Sequence, residues 1–468
     1  MPNAKVYLVG AGPGDKELIT VKGLKILSQA DVILYDHLIS PELLAHARPE
    51  AERISVGKFA SDHTLPQEDI NALLVQKAKE GKVVVRLKGG DCYLFGRGGE
   101  ETEACYDAGV AFEVVPGITS ALAAPCYAGI PPTHRDCTSS VAIVTGHRKK
   151  GDDRPIDIPQ AGTVIFLMSV ANIQNIIRSL LDAGFPASTP IAAVERGTCY
   201  DQRVLKGTLD NFLDIVSDNP LRTPAIFIAG KVVQLQEKLD WFSKKPKILL
   251  LGNHPERYSH LGTIVHRPII RCVESEDDEP TNRFLCNARQ YDWIVFTSGN
   301  GVGFFFKKLY AFGLDGRIFS KTQFAVIGQA TCQRLMEFGI KADLCAAVES
   351  SKGLLEAFGK RDRTNMSFLL PQAEVSSDEL PDGLTKSGAT VDKLVVYKTI
   401  ETDIEDVDLD YIDQILFTSG STVKAFIHKF GSLPKHIEAL CMGIPTQTTA
   451  KQYAIDAKII EKDPHAES

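Results

Sequence analysis

The sequence predicts an α/β protein with at least two domains, and three observations carry this prediction. At 468 residues, the chain is about three times as long as a typical single domain. Over residues 5–233, short apolar runs alternate with helical stretches, a pattern typical of parallel sheets covered by helices. The segment 241–247 has the character of a short basic linker, and KILLLG after it opens a second series of the same kind.

The strand signals of the first part follow one another at short intervals. They are KVYLVG, DVILYD, RISV, VVVRLK and FEVVPG before a weak boundary near residues 116–120, and VAIVTGH, TVIFLM, IAAVER and AIFIAGK after it. Glycines and polar residues follow several of these strands. Because ligands bind at the carboxyl ends of strands in open α/β sheets, we expect the binding site at that edge.

The second part contains an internal repeat. DWIVFTSGNGVGFFFKKL at 292–309 matches DQILFTSGSTVKAFIHKF at 413–430, and FAVIGQATCQRLMEFGIKA at 324–342 matches ALCMGIPTQTTAKQYAIDA at 439–457. Each copy has the order strand, turn, helix, strand, glycine-rich turn, helix. The repeat predicts two similar α/β lobes, the second of which stops before the counterpart of the helix GLLEAF.

Composition and charge argue against several classes of function. Lys plus Arg number 52 against 59 Asp plus Glu, a formal net charge of −7, which does not suit a nucleic-acid-binding protein. No apolar run reaches the ~18 residues of a membrane-spanning helix, and the amino terminus has no signal-peptide pattern. The 10 cysteines include no C-x-x-C motif, which indicates free thiols and no metal site. We expect a cytoplasmic protein that binds neither nucleic acid nor membrane.

Two glycine-rich segments of the first part stand at predicted strand ends. GAGPGD at 10–15 is a weak signal because it lacks the spacing G-x-G-x-x-G, and a tight turn without a ligand explains it equally well. GGDCYLFGRGGEE at 89–101 is more specific, since a structural turn rarely needs five glycines. Glycines at such turns let a ligand approach the backbone N–H groups.

Together with YDHLIS, VPGITSALAAPCYAGIPPTHRD and SVAIVTGH, these segments resemble the uroporphyrinogen-III C-methyltransferase family over roughly residues 4–240. The resemblance implies a two-lobed tetrapyrrole-methylase fold, a homodimer formed through this half, and S-adenosylmethionine bound between the lobes. The positions that match the family's cofactor site are Pro13, Gly89, Gly90, Asp91, Leu94, Thr119, Ser120, Met168, Gly197 and Ala225. One departure is Cys92, which stands where the family usually has a proline.

The chemistry of the cofactor suits several of these residues. Asp91 can bind a hydroxyl or ammonium group, and Met168 with Leu94 can form an apolar wall, although core packing is the alternative for Met168. Asp36, at the end of DVILYD, matches the family's base, and Lys58, after the third strand, matches its acid. The alternatives are a helix cap or a pyrrole N–H acceptor for Asp36, and a solvated charge for Lys58.

The second half resembles uroporphyrinogen-III synthase in FTSGNGV, AVIGQAT, GATVDKLVVYKT, FTSGSTV and MGIPTQTTA, over about residues 247–468. The resemblance implies two lobes joined by a two-stranded ladder, with hydroxymethylbilane, a linear tetrapyrrole, bound between them and no cofactor. Polar residues at strand-to-helix turns can bind its carboxylates, or they can be ordinary helix caps. These residues are Thr297, Ser298, Asn300, Thr418, Ser419 and Thr446. Tyr397 matches a position considered as an acid in that family, with a structural tyrosine as the alternative.

The two resemblances also predict domain boundaries and function. The expected parts are a methyltransferase at 1–240 with lobes of about 1–117 and 118–240, a linker at 241–247, and a synthase at 248–468 with one lobe of about 248–272 plus 400–468 and the other of about 273–399. We expect a bifunctional enzyme that closes hydroxymethylbilane to uroporphyrinogen III and methylates the product twice to precorrin-2. The alternatives are a methylase of the same fold with another substrate, and a second half that is a non-catalytic docking or regulatory module.

Overall fold

The computed structural model describes residues 5–57, 65–146, 156–276, 290–359, 363–404 and 406–460. The chain divides into two compact units, Met1–Lys247 and Ile248–Ser468, and each unit contains two sheets. Across the described ranges, no helix combines the length and the apolar character needed to cross a membrane.

The first sheet of the first unit is entirely parallel, with strand order β3-β2-β4-β1-β5. Its strands are β1 (Lys5–Gly10), β2 (Val32–Tyr35), β3 (Glu52–Ser55), β4 (Val84–Lys88) and β5 (Ala111–Val115). The helices of this lobe are α1 (Val21–Leu27), α2 (Gln67–Lys79) and α3 (Gly98–Asp107), whereas the next helix, α4 (Ser120–Tyr127), packs against the second sheet. Because all five strands run the same way, their carboxyl ends lie along one edge.

The second sheet has the order β6-β7-β10-β8-β9 and is mixed. Its strands are β6 (Val141–Thr145), β7 (Thr163–Leu167), β8 (Pro190–Glu195), β9 (Arg203–Thr208) and β10 (Ala225–Gly230), and its helices are α5 (Ile173–Asp182), α6 (Phe212–Asp218) and α7 (Gln236–Leu239). Only β6 and β7 pair in parallel. The expectation of a parallel sheet was wrong here, because the connection 196–202 is too short for a crossover helix.

The second unit contains the predicted repeat, one copy in each of its two sheets. One sheet has the order β12-β11-β19-β20-β21 and the other β13-β18-β17-β14-β15-β16. The strands are β11 (Lys247–Leu250), β12 (Thr263–His266), β13 (Ile270–Glu274), β14 (Trp293–Phe296), β15 (Gln323–Val326), β16 (Leu344–Cys345), β17 (Ser367–Ala373), β18 (Thr390–Glu401), β19 (Gln414–Phe417), β20 (Glu438–Cys441) and β21 (Ala457–Ile459). The helices are α8 (Gly299–Ala311), α9 (Gln329–Met336), α10 (Ser351–Phe358), α11 (Glu379–Lys386), α12 (Gly420–Phe430) and α13 (Ile444–Gln452). The series β14-α8-β15-α9 and β19-α12-β20-α13 correspond, and β13 and β18 form an antiparallel ladder.

The segment expected as a linker, residues 241–247, packs against the first unit. The ring of Phe242 is 4% exposed and its centroid lies 4.9 Å from that of Tyr127 at the end of α4. Trp241 donates its indole N–H to the carbonyl oxygen of Cys126 at 3.1 Å. The Lys247 ammonium group donates to three carbonyl oxygens within the segment. These contacts anchor the segment on α4.

Replacing Phe242 with alanine removes a buried ring, and we expect the free energy of unfolding of the first unit to fall by ~3–5 kcal/mol. Leu239→Ala, nearby but at a side chain that is 40% exposed, is the control, with an expected change within ~0.5 kcal/mol. Urea unfolding followed by fluorescence measures both in a Trp293→Phe background, where Trp241 is the one remaining tryptophan. Equal losses in the two variants would contradict the anchoring role of Phe242.

Candidate functional site

The turns that follow β1, β4 and β5 meet at the carboxyl edge of the first sheet. A Cβ atom on Gly117 would lie 2.2 Å from the carbonyl oxygen of Gly90, and one on Gly10 would lie 2.5 Å from the Cα atom of Gly117. Gly90 also donates its N–H to the Gly12 carbonyl oxygen at 2.7 Å. Only residues without a side chain permit these approaches, so the three turns form one continuous backbone surface.

The carboxylate of Asp91 holds two of these turns together. Its Oδ1 atom accepts the backbone N–H groups of Tyr93 at 2.8 Å and Leu94 at 3.1 Å. Its Oδ2 atom accepts the N–H of Gly117 at 3.0 Å. Asp91 therefore joins the loop after β4 to the turn after β5. The contact with the cofactor that the sequence predicts for Asp91 stays a prediction beside this structural role.

Helix α4 begins next to the glycine turns. Thr119 is its N-cap and accepts the N–H of Ala121 at 3.3 Å. The position of a Cβ atom on Gly90 lies 3.9 Å from the backbone nitrogen of Ser120. Leu94 packs against the hydrophobic cluster that α4 forms with the second sheet, and Gly89 is adjacent to the Cβ atom of Leu38. The residues that the sequence predicts to line the first lobe's side of the cofactor site thus share one edge.

In the second sheet, the ends of β7 and β8 lie at the same edge as the beginning of β10, because β10 is antiparallel to both. Ala225 accordingly pairs with Glu195. Met168 follows β7, has a φ of 54° and is 55% exposed, so it is not a core residue of this unit. Gly197 follows β8, and a Cβ atom on it would lie 2.2 Å from the Cβ atom of Ala124 in α4. Met168, Gly197 and Ala225 therefore share the second lobe's edge.

A ring of hydrogen bonds joins the turn after β1 to the turn after β8. The Asp15 N–H donates to Thr198 Oγ1 at 3.0 Å, and the Tyr127 hydroxyl donates to Asp15 Oδ2 at 2.8 Å. Gln202 closes the ring: its Oε1 atom accepts the Thr198 N–H at 2.9 Å and its Nε2 atom donates to the Tyr127 carbonyl at 3.2 Å. Burial, and next the bond to Asp15, raise the pKa of the Tyr127 hydroxyl. Gly14, the residue after Pro13, lies against the same turn, because a Cβ atom on it would be 2.8 Å from Thr198 Oγ1.

Strained backbone is concentrated at these two edges. Of the eight non-glycine residues with positive φ in the described part of the chain, five lie in the loops of this site. They are Phe95, Arg97, Met168, Arg196 and Thr198. Each left-handed residue costs ~1–3 kcal/mol and persists only where its surroundings hold it, and such residues are concentrated at functional sites of proteins, which makes these loops a candidate site.

Asp36 follows β2 at the first lobe's edge, whereas Lys58 lies outside the described residues. The Asp36 carboxylate forms an ion pair with Arg86 of β4, whose side chain is 3% exposed. Arg86 Nε also contacts Glu101 Oε1 of α3 at 3.1 Å, and Lys88 Nζ contacts the same oxygen at 2.9 Å. Burial disfavours the charge of Arg86, but the carboxylates of Asp36 and Glu101 prevail and its pKa is raised. Asp36 is not the cap of the next helical turn, which begins after a serine at position 40.

No sequence pattern had singled out Arg86, Lys88 or Glu101 as site residues. The available signal was the pair of cations in VVVRLK, inside an otherwise apolar strand. A strand that is covered on both faces can hold such charges only if carboxylates are buried beside them.

In the second unit, the structure brings Ser298, Asn300 and Tyr397 together, with Thr297 next to them in the chain. Ser298 Oγ caps α8 by accepting the Gly301 N–H at 3.0 Å and lies 3.2 Å from the Tyr397 hydroxyl oxygen. Asn300 Nδ2 donates to the sulfur atom of a cysteine in β13 at 3.2 Å. Burial raises the pKa of Tyr397. Hydroxyl and amide groups therefore cluster where α8 meets the β13–β18 ladder.

The other predicted residues of this unit lie in the sheet that contains β19. Ser419 caps α12 in a capping box with Thr422. Thr418 packs against the turn after β11, where a Cβ atom on Gly252 would lie 2.1 Å from its hydroxyl oxygen. Thr446 is buried in the first turn of α13. Helix capping is thus the observed role of Ser419, as it is of the serine at the start of α8, and substrate contacts stay predictions.

The fold defines a two-unit α/β protein whose first unit has a candidate ligand site at the edges of two sheets. Residues 5–213 match the family Tetrapyrrole (Corrin/Porphyrin) Methylases, and residues 257–468 match Uroporphyrinogen-III synthase HemD. Porphyrin biosynthesis protein HemD of Ruminiclostridium josui is 38% identical over 99% of this chain and 96% of its own length. The chain therefore belongs to the family of this porphyrin biosynthesis protein HemD, and in this chain the tetrapyrrole methylase match precedes the uroporphyrinogen-III synthase match.

Other relatives match the first half alone. Uroporphyrinogen-III C-methyltransferase of Priestia megaterium is 52% identical over 49% of this chain and 98% of its own length. Siroheme synthase of Hahella chejuensis is 51% identical over 51% of each chain, so this chain spans about half of that protein. The crystal structure of uroporphyrin-III C-methyltransferase from Thermus thermophilus is 40% identical over 50% of this chain and 98% of its own, with a TM-score of 0.45. The family comparisons confirm the two resemblances and the α/β class.

Burial gives the cysteines of the first unit different reactivities. It raises the pKa of the Cys92 thiol to about 12, whereas Cys126 is exposed. Because the thiolate is the reactive form, we expect iodoacetamide at pH 8 to modify Cys126 at least ~10-fold faster than Cys92 in the folded protein. Peptide mass spectrometry measures both rates, and urea should remove the difference. Equal rates in the folded protein would mean that the loop after β4 opens readily at Cys92.

Proposed function

We propose that the first unit transfers methyl groups from S-adenosylmethionine to two carbon atoms of uroporphyrinogen III and so forms precorrin-2. The observation that carries the proposal is the backbone surface that Gly10, Gly90 and Gly117 form at the edge of the first sheet. This edge is joined to the second lobe, and residues 5–213 match the tetrapyrrole methylase family. S-adenosylmethionine has a cation, an amino-acid group and an adenine but no phosphate. Backbone polar groups with the apolar side chains of Leu94 and Met168 suit these features.

The ten residues that match the family's cofactor site are proposed to hold S-adenosylmethionine, and six of them lie in the turns after β1, β4 and β5. When bound, the cofactor supplies the methyl group: a ring carbon forms the new C–C bond as the C–S bond breaks and S-adenosylhomocysteine leaves. The methylated ring then loses one proton. We propose that Asp36, whose side chain is 29% exposed at the edge, accepts this proton. Lys58 is proposed as the acid.

We propose that the second unit closes hydroxymethylbilane to uroporphyrinogen III, with loss of its hydroxyl group as water. Tyr397 would protonate that hydroxyl: burial raises the pKa of Tyr397, so its hydroxyl keeps its proton at neutral pH, and it lies 3.2 Å from Ser298 Oγ. The N-termini of α8 and α12 present backbone N–H groups that suit the carboxylates of the substrate. The proposed substrate residues are Thr297, Ser298, Asn300, Tyr397, Thr418, Ser419 and Thr446.

One incubation tests both reactions. Hydroxymethylbilane alone should give uroporphyrinogen III, and addition of S-adenosylmethionine should convert it to precorrin-2, as followed by absorbance and mass spectrometry. If supplied uroporphyrinogen III is methylated but hydroxymethylbilane closes only at its spontaneous rate, the second unit is a docking or regulatory module. Failure to methylate uroporphyrinogen III would point to another tetrapyrrole as substrate. The proposal includes a homodimer formed through the first unit, which sedimentation of the purified protein would measure.

Gly117→Ala should weaken binding of S-adenosylmethionine at least ~10-fold, because a Cβ atom 2.2 Å from the Gly90 carbonyl oxygen must push the two turns apart. Gly99→Ala is the matched control in the same region, since its Cβ atom would meet nothing within 4 Å. We expect its affinity to stay within ~2-fold of the original protein. Calorimetry measures both, and cyclisation of hydroxymethylbilane should be unchanged in both variants. Unaltered affinity in Gly117→Ala would exclude these turns as the cofactor site.

Tyr397→Phe should slow cyclisation at least ~10-fold, because the variant lacks the proposed acid. Tyr291→Phe is the control: this tyrosine is buried to the same extent, and its hydroxyl donates to Asp392 at 2.8 Å in the same lobe. Loss of that bond should lower stability by ~1 kcal/mol and leave the cyclisation rate within ~2-fold. Initial rates at 25 °C distinguish the two. A Tyr397→Phe rate near that of the original protein would make Tyr397 a structural residue.

A further inference from the structure

Four charged side chains form a cluster inside the first lobe. Arg86 and Lys88 lie two positions apart on β4 and therefore point to the same face of the sheet. Glu101 comes from α3, which covers that face, and is fully buried. Asp36, after β2, is the one partly exposed member, at the edge where the glycine turns lie. Two positive and two negative groups make the cluster neutral overall.

The guanidinium group of Arg86 is fixed by contacts on three sides. Its Nε atom donates to Glu101 Oε1 at 3.1 Å, and its Nη1 atom donates to the carbonyl oxygens of Leu34 at 3.4 Å and Leu87 at 3.3 Å. Its Nη2 atom donates to Asp36 Oδ1. Because the guanidinium is planar and rigid, the first contacts determine the direction in which Nη2 points. The two carbonyl groups and Glu101 therefore fix the orientation of Arg86, and Arg86 in turn fixes the position of the Asp36 carboxylate.

Glu101 is itself held from several elements. Its Oε1 atom also accepts from Lys88 Nζ at 2.9 Å and from Gln67 Nε2 of α2 at 3.2 Å. The carboxylate therefore lies where β4, α2 and α3 meet. Within the described part of the chain, Arg86 is the side chain that donates to the Asp36 carboxylate, and Asp36 Oδ2 is left available to receive a proton.

Stability alone does not account for this cluster. Apolar side chains of similar volume stabilise a covered sheet at least as well as a buried ion-pair network does. The two carboxylates also differ in exposure, since Glu101 is enclosed and Asp36 reaches the surface at the candidate site. A neutral, rigid network that ends in one accessible carboxylate is suited to orient that carboxylate.

We propose that Arg86 and Glu101 are positioning residues, which hold the Asp36 carboxylate in one orientation toward the tetrapyrrole, and that Lys88 balances the charge of Glu101. This inference rests on the proposed function, in which Asp36 accepts the proton of the methylated ring. Misplacement of a reacting group by about 1 Å can lower a rate ~10²-fold, so loss of the anchor should affect kcat. Binding of S-adenosylmethionine, which the glycine turns provide, should change little.

A double-mutant cycle in the full-length protein tests the proposal. The variants are Asp36→Asn, Arg86→Gln and the combination of both. Methyl transfer to uroporphyrinogen III gives kcat, and calorimetry gives the affinity for S-adenosylmethionine. We expect Arg86→Gln to lower kcat ~10–10²-fold with a change in affinity below ~3-fold. In the Asp36→Asn background the same change should lower kcat by less than ~3-fold, because Arg86 acts through Asp36.

A further variant distinguishes loss of positioning from a folding defect caused by an unbalanced charge, and one control breaks a comparable ion pair elsewhere in the first sheet. Arg86→Gln leaves the cluster with one excess negative charge, whereas Arg86→Gln combined with Glu101→Gln restores neutrality; kcat should stay ~10-fold or more below that of the original protein. Arg48→Gln breaks another arginine–aspartate pair, with Asp31 at the opposite end of β2. Its kcat should stay within ~2-fold.

The outcomes separate failure of this inference from failure of the proposed function. A near-normal kcat in Asp36→Asn would overturn Asp36 as the base and this inference with it. If Asp36→Asn is slow but Arg86→Gln lowers kcat equally in both backgrounds, only the positioning role is overturned. The positioning role alone is also overturned if Arg86→Gln and the neutral double variant keep a normal kcat. It is likewise overturned if their affinity for S-adenosylmethionine falls in proportion to the rate.

Discussion

The close approach of glycine backbones after β1, β4 and β5 is the constraint on which the first unit depends. The carbonyl oxygen of Gly90 occupies the space that a Cβ atom on Gly117 would need, and Asp91 joins the same two turns through backbone N–H groups. The turn after β1 continues to Asp15, which begins the hydrogen-bond ring to Thr198. The arrangement of the two lobes therefore depends on backbone packing at one edge of the first sheet.

The same edge explains how the unit tolerates charge in its interior. Strand β4 ends at Lys88, just before Gly89, and places the buried side chains of Arg86 and Lys88 inside the lobe. Their charges are neutralised by one enclosed carboxylate and by Asp36, which is partly exposed. A buried ion-pair network is compatible with folding when each charge lies beside a partner of opposite sign. The edge that exposes backbone groups of the turns thus also exposes one acidic side chain.

The second unit builds its polar cluster by a different route. The two copies of the repeat lie in separate sheets, and the β13–β18 ladder pairs Tyr397 with Glu274. Ser298 belongs to the first copy, at the start of α8, and meets Tyr397 only because β18 runs beside β17 and returns to the ladder. Phe304 of α8 stacks on the Tyr397 ring with centroids 5.3 Å apart and keeps it in place. The cluster therefore depends on strand register and not on a glycine turn.

Local patterns in the sequence determined the α/β class, the repeat and most strands. An apolar run such as VVVRLK or TVIFLM indicates a buried strand whichever strands pair with it, so it can be recognised without the tertiary structure. They also placed the glycine turns at strand ends. Strand β9 escaped detection because RVLKGT mixes two cations and a glycine with only two apolar residues, and its antiparallel pairing followed from a short connection. Tertiary structure alone decided that Asp91 would bind backbone N–H groups and that Arg86 would join Asp36 to Glu101. These partners are far apart in the chain, and only the packing of strands and helices brings them within hydrogen-bond distance.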